Sequence, residues 1–257
     1  MATPNLYWPV YNNLEKEFLK LADYIHISDD QTSIYSMHIA DLIVRCSVEI
    51  EALSKELYSS LGGNMTPTDT NGDVRDLYFD TDCLDLLEQK WHISKKEITV
   101  SAINLYLTEE KHRLLLPLHK ANKRGTSGSK WKQAYQAVKH DRRNSLKKAT
   151  IENLLHAMGA LYILNLYYKD ERTDIGRVYL SDHNFDNRAG SEIFSAHCCH
   201  ATCIAMAYHM DDSCISPPLG DELERSIYII KYDDKSFREM HKNFCLDFQI
   251  TEQRFNN

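Results

Sequence analysis

The alternation of apolar and polar positions marks out helices over most of the chain. Leu14 to Ile27 reads as a first helix, followed by turn and cap chemistry at Asp29-Asp30 and Ser33. The clearest pattern comes next. Ile39, Leu42, Ile43, Cys46, Ile50, Leu53 and Leu57 recur at i, i+3, i+4 and i+7, the stripe of an amphipathic helix, and Gly62-Gly63 stops it. Asn64 to Asp73 is a loop by composition, and Asp82 to Trp91 predicts a short helix. Ile98 to Leu107 suits strand or helix, and Ala121 to Ser129 predicts a mobile basic loop. Two linked helices follow. Trp131, Ala134, Tyr135 and Val138 share one face of the first. In the second, capped by Thr150, Ile151, Leu154, Leu155, Met158 and Tyr162 do the same. Ala157 to Tyr168 is apolar nearly all round, which predicts a central, buried member of a bundle.

After Lys169-Asp170-Glu171 the pattern changes. Arg177 to Ser181 and Ile227 to Tyr232 read as strands, with a helix from about Ser191 to His209 between them. The expected organisation is therefore mainly α. A helical bundle over residues 1–170 precedes a mixed α+β extension over 171–257.

Composition narrows the class. With 257 residues, 43% apolar and 26% charged, the chain is neither collagen-like nor low-complexity nor wholly disordered. Its longest unbroken apolar stretch, Ala160 to Leu164, is far below the ~20 residues of a membrane helix. The first residues carry no signal-peptide pattern, and seven cysteines do not form a secreted disulfide framework. A soluble cytoplasmic protein without a membrane partner is the expectation.

Charge is distributed unevenly. Lys111 to Lys148 holds twelve Lys or Arg residues against one acid, Asp141, while the whole chain carries −7. A local excess of eleven positive charges implies a polyanionic partner, and solvated lysines paired with acidic neighbours are the alternative. Within this window, helical projection puts Arg142 about 20° from Trp131, on the apolar face if the helix continues past Asp141, where an arginine needs a carboxylate, carbonyl or phosphate partner. On the preceding stripe helix, His38, Arg45, Glu49 and Glu56 cluster on one flank, with Arg45–Glu49 an i, i+4 pair.

Trp131-xxx-Tyr135-xxx-Lys139-His140-Asp141-Arg142, followed by Ala149-Thr150-xx-Asn153 and an apolar helix, resembles bacterial HEPN-like helical proteins with a "YNxxKHDR" signature. Cys46-xx-Glu49-Ile50-Glu51-xxx-Lys55 is similar to their second helix, so the resemblance covers about residues 14–168. It implies a helical bundle, homodimerisation, and membership of toxin or anti-phage systems with an antitoxin or companion defence protein. Catalytic HEPN members are metal-independent ribonucleases in which an Arg-polar-x(3–5)-His motif from each subunit meets across the dimer. An imidazole can move the 2′-hydroxyl or leaving-group proton while a guanidinium stabilises the phosphoryl charge.

The chain departs from that motif. Arg143-Asn144 is followed by Lys148, Ala149 and Thr150 where histidine belongs, and His140 precedes Arg142. The Arg-to-His spacings at Arg113–His119 and Arg177–His183 are at the chance level. The resemblance makes His140, Arg142, Arg143 and Asn144 the catalytic candidates. Lys139, Lys147, Lys148, Arg124 and Lys130 are candidate RNA contacts, with His38 and Glu49 in support, and no cofactor or metal is called for. The alternatives are a catalytically inactive HEPN-like module binding RNA, nucleotide or protein, and a partner-docking protein. A second cluster, His197-Cys198-Cys199-His200-xx-Cys203-xxxxx-His209, reads as a zinc site or as a cysteine-rich core helix.

Overall fold

The computed structural model describes residues 6–168, 190–196, 198–199, 225 and 227–228. It is mainly helical with a small antiparallel sheet.

Helix α1 spans Tyr7–Leu21, beginning seven residues before the apolar pattern places it. The aromatic cluster explains the early start, because Trp8 stacks on Tyr11 at 5.3 Å and Tyr11 lies 5.6 Å from Tyr162. Pro9 falls in the first turn, where a missing N–H is harmless. The helix stops at Leu21 instead of running to Ile27, and Ile25 N–H closes a turn onto the Leu21 carbonyl at 2.8 Å.

Helix α2, Met37–Ser60, buries the stripe read from the sequence. Its cap is Ser36, whose hydroxyl accepts from Ile39 N–H at 3.1 Å, and not Ser33. The stop comes from left-handed Gly62 (φ +78°) and from Gly63, which lies flat on the Tyr58 ring with no room for a Cβ. Beyond the loop, a single π-type turn at Phe79–Leu84 leads into α3, Asp85–Trp91.

The sheet has order β2-β1-β3, from Leu114–Leu115, Ile98–Val100 and Phe194–Ala196, with both pairings antiparallel. The four-residue helix α4, Glu110–Arg113, leads into β2. Ile98 to Leu107 thus starts as strand and then turns. The chain continues through α5 (Lys130–His140), α6 (Arg142–Ser145) and α7 (Ile151–Tyr168). Helix α7 is the central member: fourteen of its eighteen residues are buried. At Gly159 a Cβ would sit 2.6 Å from Ile98 Cδ1 and 2.9 Å from Pro117 Cγ, so glycine lets β1 and the Pro117 loop close onto the helix.

The stretch expected to be helical from Ser191 is instead extended at β3 and at β4, Cys198–Cys199, which pairs in parallel with β5, Ile227–Tyr228. Tertiary contacts override the helical pattern. Buried Glu15 of α1 accepts from the Glu192 and Ile193 amides at 3.0 and 3.1 Å, and the Ser191 hydroxyl accepts from Phe194 N–H at 2.9 Å. These bonds hold the chain straight against the β1 edge. Ile193 and Phe194 are fully buried in the bundle's core, although they follow the compositional break at residue 171. The expected strand at 177–181 lies outside the described residues, as does 229–232 of the other. Among the described residues, no helix is long and apolar enough to cross a membrane.

Candidate functional site

Helix α5 ends at His140 because Asp141 leaves the helical conformation (φ −147°, ψ 70°) and caps α6, accepting from Asn144 N–H at 3.3 Å. The Asn144 amide also donates to both Asp141 oxygens, at 3.1 and 2.8 Å. This break turns Arg142 away from the Trp131 face. Its guanidinium reaches Asp41 of α2 at 3.0 Å on the open surface, so the projection that aimed it at the core is corrected. His140 and Arg143 are exposed, with no side-chain partner among the described residues. Lys139 rests on Tyr135, its Nζ 3.4 Å from the phenol oxygen. Burial, then the charge of Glu51, raises that phenol's pKa.

The supporting candidates are less well placed. The Arg142–Asp41 pair brings α6 to the first turns of α2, where exposed His38 lies three residues before Asp41. No hydrogen bond or ion pair joins His38 or Glu49 to His140, Arg142, Arg143 or Asn144 among the described residues. Arg45 pairs with Glu17 at 2.7 Å instead of with Glu49. Burial raises the Glu49 pKa, with Arg45 opposing.

The basic loop is anchored by a network that the sequence did not reveal. Buried Lys132 donates to Asp80 Oδ2 at 3.1 Å, to the Ala121 carbonyl at 2.8 Å, and to the Lys123 carbonyl. Arg124 donates through Nε to Asp80 Oδ1 at 3.1 Å and stacks over Tyr78 at 3.7 Å. Gln133 donates to the Thr126 and Gly128 carbonyls at 3.2 and 2.7 Å. Burial lowers the Lys132 pKa against the pull of Asp80. The Asp80 carboxyl would rise on burial alone, yet the Lys132 charge and its hydrogen bonds hold it below its ordinary value. These groups line a cleft of about 950 Å³ that also takes in Glu51, Lys55 and Tyr78. Arg124 is therefore half committed to an internal carboxylate.

A second cleft, of about 460 Å³, lies between the 116–131 segment and the first turns of α7. His119, Lys120, Ser127, Ser129, Lys130, Asn153 and His156 contribute to its walls. Trp131 Nε1 donates to the Pro117 carbonyl at 2.8 Å, fastening the loop to α5. Thr150 caps α7 as expected, accepting from Asn153 N–H at 3.2 Å, and the Asn153 amide donates to the Lys148 carbonyl at 2.8 Å. That bond ties the Lys147–Lys148 turn to a residue of the cleft wall. Burial, with Lys130 adding to it, lowers the His156 pKa and so favours the neutral imidazole, while Glu152 opposes. A neighbouring cleft of about 710 Å³ shares Leu116 and His119 with this one and is lined by Lys95, Lys111 and Arg225, with Glu97 and Glu110.

The twelve cations of the basic window thus divide into two groups. Lys111, Arg124, Lys132 and Arg142 pair with carboxylates, and Lys139 lies on Tyr135. Arg113, Lys120, Lys123, Lys130, Arg143, Lys147 and Lys148 are exposed, with no ion-pair partner among the described residues. Of the cysteine–histidine cluster, His197, His200, Cys203 and His209 lie outside the described residues. Buried Cys46 and Cys83 have thiols pushed up to about 12, chiefly by burial, which makes them poor nucleophiles.

No protein-family model, curated protein or solved structure matches the chain.

Proposed function

We propose that the protein is a HEPN-like, RNA-directed component of a toxin or anti-phage system, and that its basic segment, residues 111–148, binds the phosphates of single-stranded RNA. One observation carries the reading: seven cations of the basic window have no carboxylate partner among the described residues, in a chain that is acidic elsewhere. Lysines that only solvate a surface fit such a field poorly, because nearby like charges repel each other until a polyanion neutralises them.

A second reading, metal-independent cleavage, is favoured by His140 and Arg143, which are both solvent-facing and uncommitted. The imidazole would move a proton and the guanidinium would stabilise the phosphoryl charge. Arg142 and Asn144 serve that reading less well, since Asp41 and Asp141 hold them. Homodimerisation and control by an antitoxin or companion protein come with the family resemblance.

The test is RNA binding followed across salt concentration. Binding through phosphates loses affinity with a log–log slope of about −0.7 per contact on single strands, so Lys147→Gln with Lys148→Gln should flatten the slope by about 1.4. A salt-independent response would refute RNA binding here. Incubation of total RNA with chelator present, beside His140→Ala, decides the second reading. Loss of a general acid or base should slow cleavage about 10²–10⁴-fold, and equal products from both proteins would remove His140 from the chemistry.

A further inference from the structure

The cleft between the 116–131 segment and α7 concentrates groups that select an oxyanion. Helix α5 begins in its wall without a side-chain cap. The Lys130, Trp131 and Lys132 amides precede the first helical hydrogen bond, which runs from Gln133 N–H to the Ser129 carbonyl at 3.1 Å. Ser129 belongs to the same wall, and its hydroxyl oxygen is buried with no hydrogen-bond partner among the described residues. Such an orphan hydroxyl is costly unless a ligand completes it. Lys120 and Lys130 enter the cleft without an ion pair among the described residues, and the His119 and His156 imidazoles have no hydrogen-bond partner there either. Glu152 is the single acid in the wall.

We propose that this cleft is a phosphoryl-binding site, in which Lys120, Lys130, the Ser129 hydroxyl and the α5 N-terminal amides hold one phosphate of a ribonucleotide. Amides at a helix start and ammonium groups supply charge-assisted donors to phosphate oxygens, and two imidazoles add N–H donors. The site is distinct from the His140 segment. That segment lies at the far end of α5, about 15 Å away at 1.5 Å per residue over the ten steps from Lys130 to His140. The inference rests on the RNA reading only for the source of the phosphate, a strand as opposed to a free mononucleotide.

The test follows histidine ring resonances of the full chain, assigned with His119→Gln and His156→Gln. The protein is titrated separately with inorganic phosphate, adenosine 5′-monophosphate and a single-stranded oligoribonucleotide. His119 and His156 should shift saturably while His140 stays fixed with the two small ligands. Lys130→Gln should weaken binding about tenfold or more, and Ser129→Ala severalfold, with the remaining spectrum unchanged as proof of folding. Shifts with phosphate and mononucleotide, with no binding of the strand anywhere on the chain, would keep the site and end the RNA reading. Strand binding, with both histidines unmoved by all three ligands, would keep the RNA reading and overturn the site. Silence of both rings to every probe would overturn it too.

Discussion

Removing the Asp80 carboxylate should expose how much of the basic loop's order depends on one internal charge. In Asp80→Asn, Lys132 keeps its Ala121 and Lys123 carbonyl acceptors but loses its counter-ion. The two side chains are only 4% and 10% exposed, so solvent cannot replace the lost charge. Stripping one partner from a buried pair costs about 3–5 kcal/mol. The asparagine oxygen still accepts a hydrogen bond, which places the expectation near about 3 kcal/mol. Arg124 adds little, about 0.5 kcal/mol, because its side chain is 48% exposed. In urea at pH 7, with a slope of about 2 kcal/mol per molar, the unfolding midpoint should fall by about 1.5 M at unchanged slope. Asp80→Leu combined with Lys132→Met should recover most of the loss, since an apolar pair of similar volume leaves no orphan charge. An unmoved midpoint in Asp80→Asn would show that the two carbonyls alone satisfy Lys132, and the reasoning would fail.

Two further outcomes follow from buried or tightly bonded carboxylates. Asp29 accepts from the Thr108 hydroxyl and amide at 2.7 and 2.9 Å and bonds His112 Nδ1 at 2.7 Å. The Thr108 hydroxyl first, then His112, holds its pKa far below the ordinary range. A depressed carboxylate stabilises the fold above its unfolded value, about pH 4, and this contribution is lost as pH falls through the folded value. Asp29→Asn should therefore flatten the acid limb of melting temperature against pH, and parallel curves would contradict the assignment. Glu15→Ala removes the acceptor shared by Tyr11, Ser191 and two amides. Tyr11 and Ser191 still bond each other and Ile193 N–H still reaches Ser191, but the Glu192 amide is orphaned, so about 2 kcal/mol of stability should be lost and proteolysis should begin within 190–196. Glu15→Gln keeps Oε1 and should fall between, and unchanged proteolysis in Glu15→Ala would show the segment is held by apolar packing alone.

Local patterns in the sequence disclose the parts of this fold that depend on near neighbours. The α2 stripe, the Trp131–Val138 face, the Thr150 cap and the all-round burial of α7 are each set by residues within a few turns. The break at Asp141 is local too, a capping aspartate three residues before Asn144, but a helical projection carried through it sends Arg142 the wrong way, and its Asp41 partner lies on a helix distant in sequence. The Asp80 network is equally invisible, since Asp80 meets Lys132 across 52 positions and Arg124 across 44. A window of twelve cations therefore looked uniform, although internal carboxylates hold some and leave others in solvent. The second cleft escaped for the same reason: His119 and His156 lie on separate segments and meet through the Trp131–Pro117 bond and the start of α7.

The third strand of the sheet has a temporal consequence. Residues 194–196 close onto a strand begun at residue 98, and Ser191 reaches a carboxylate 176 positions upstream. During synthesis, everything through α7 can emerge from the ribosome while the β1 edge is still bare and Glu15 still lacks its Ser191, Glu192 and Ile193 donors. The nascent chain passes through an interval in which its most hydrophobic helix is already made but the seam beside it stays open.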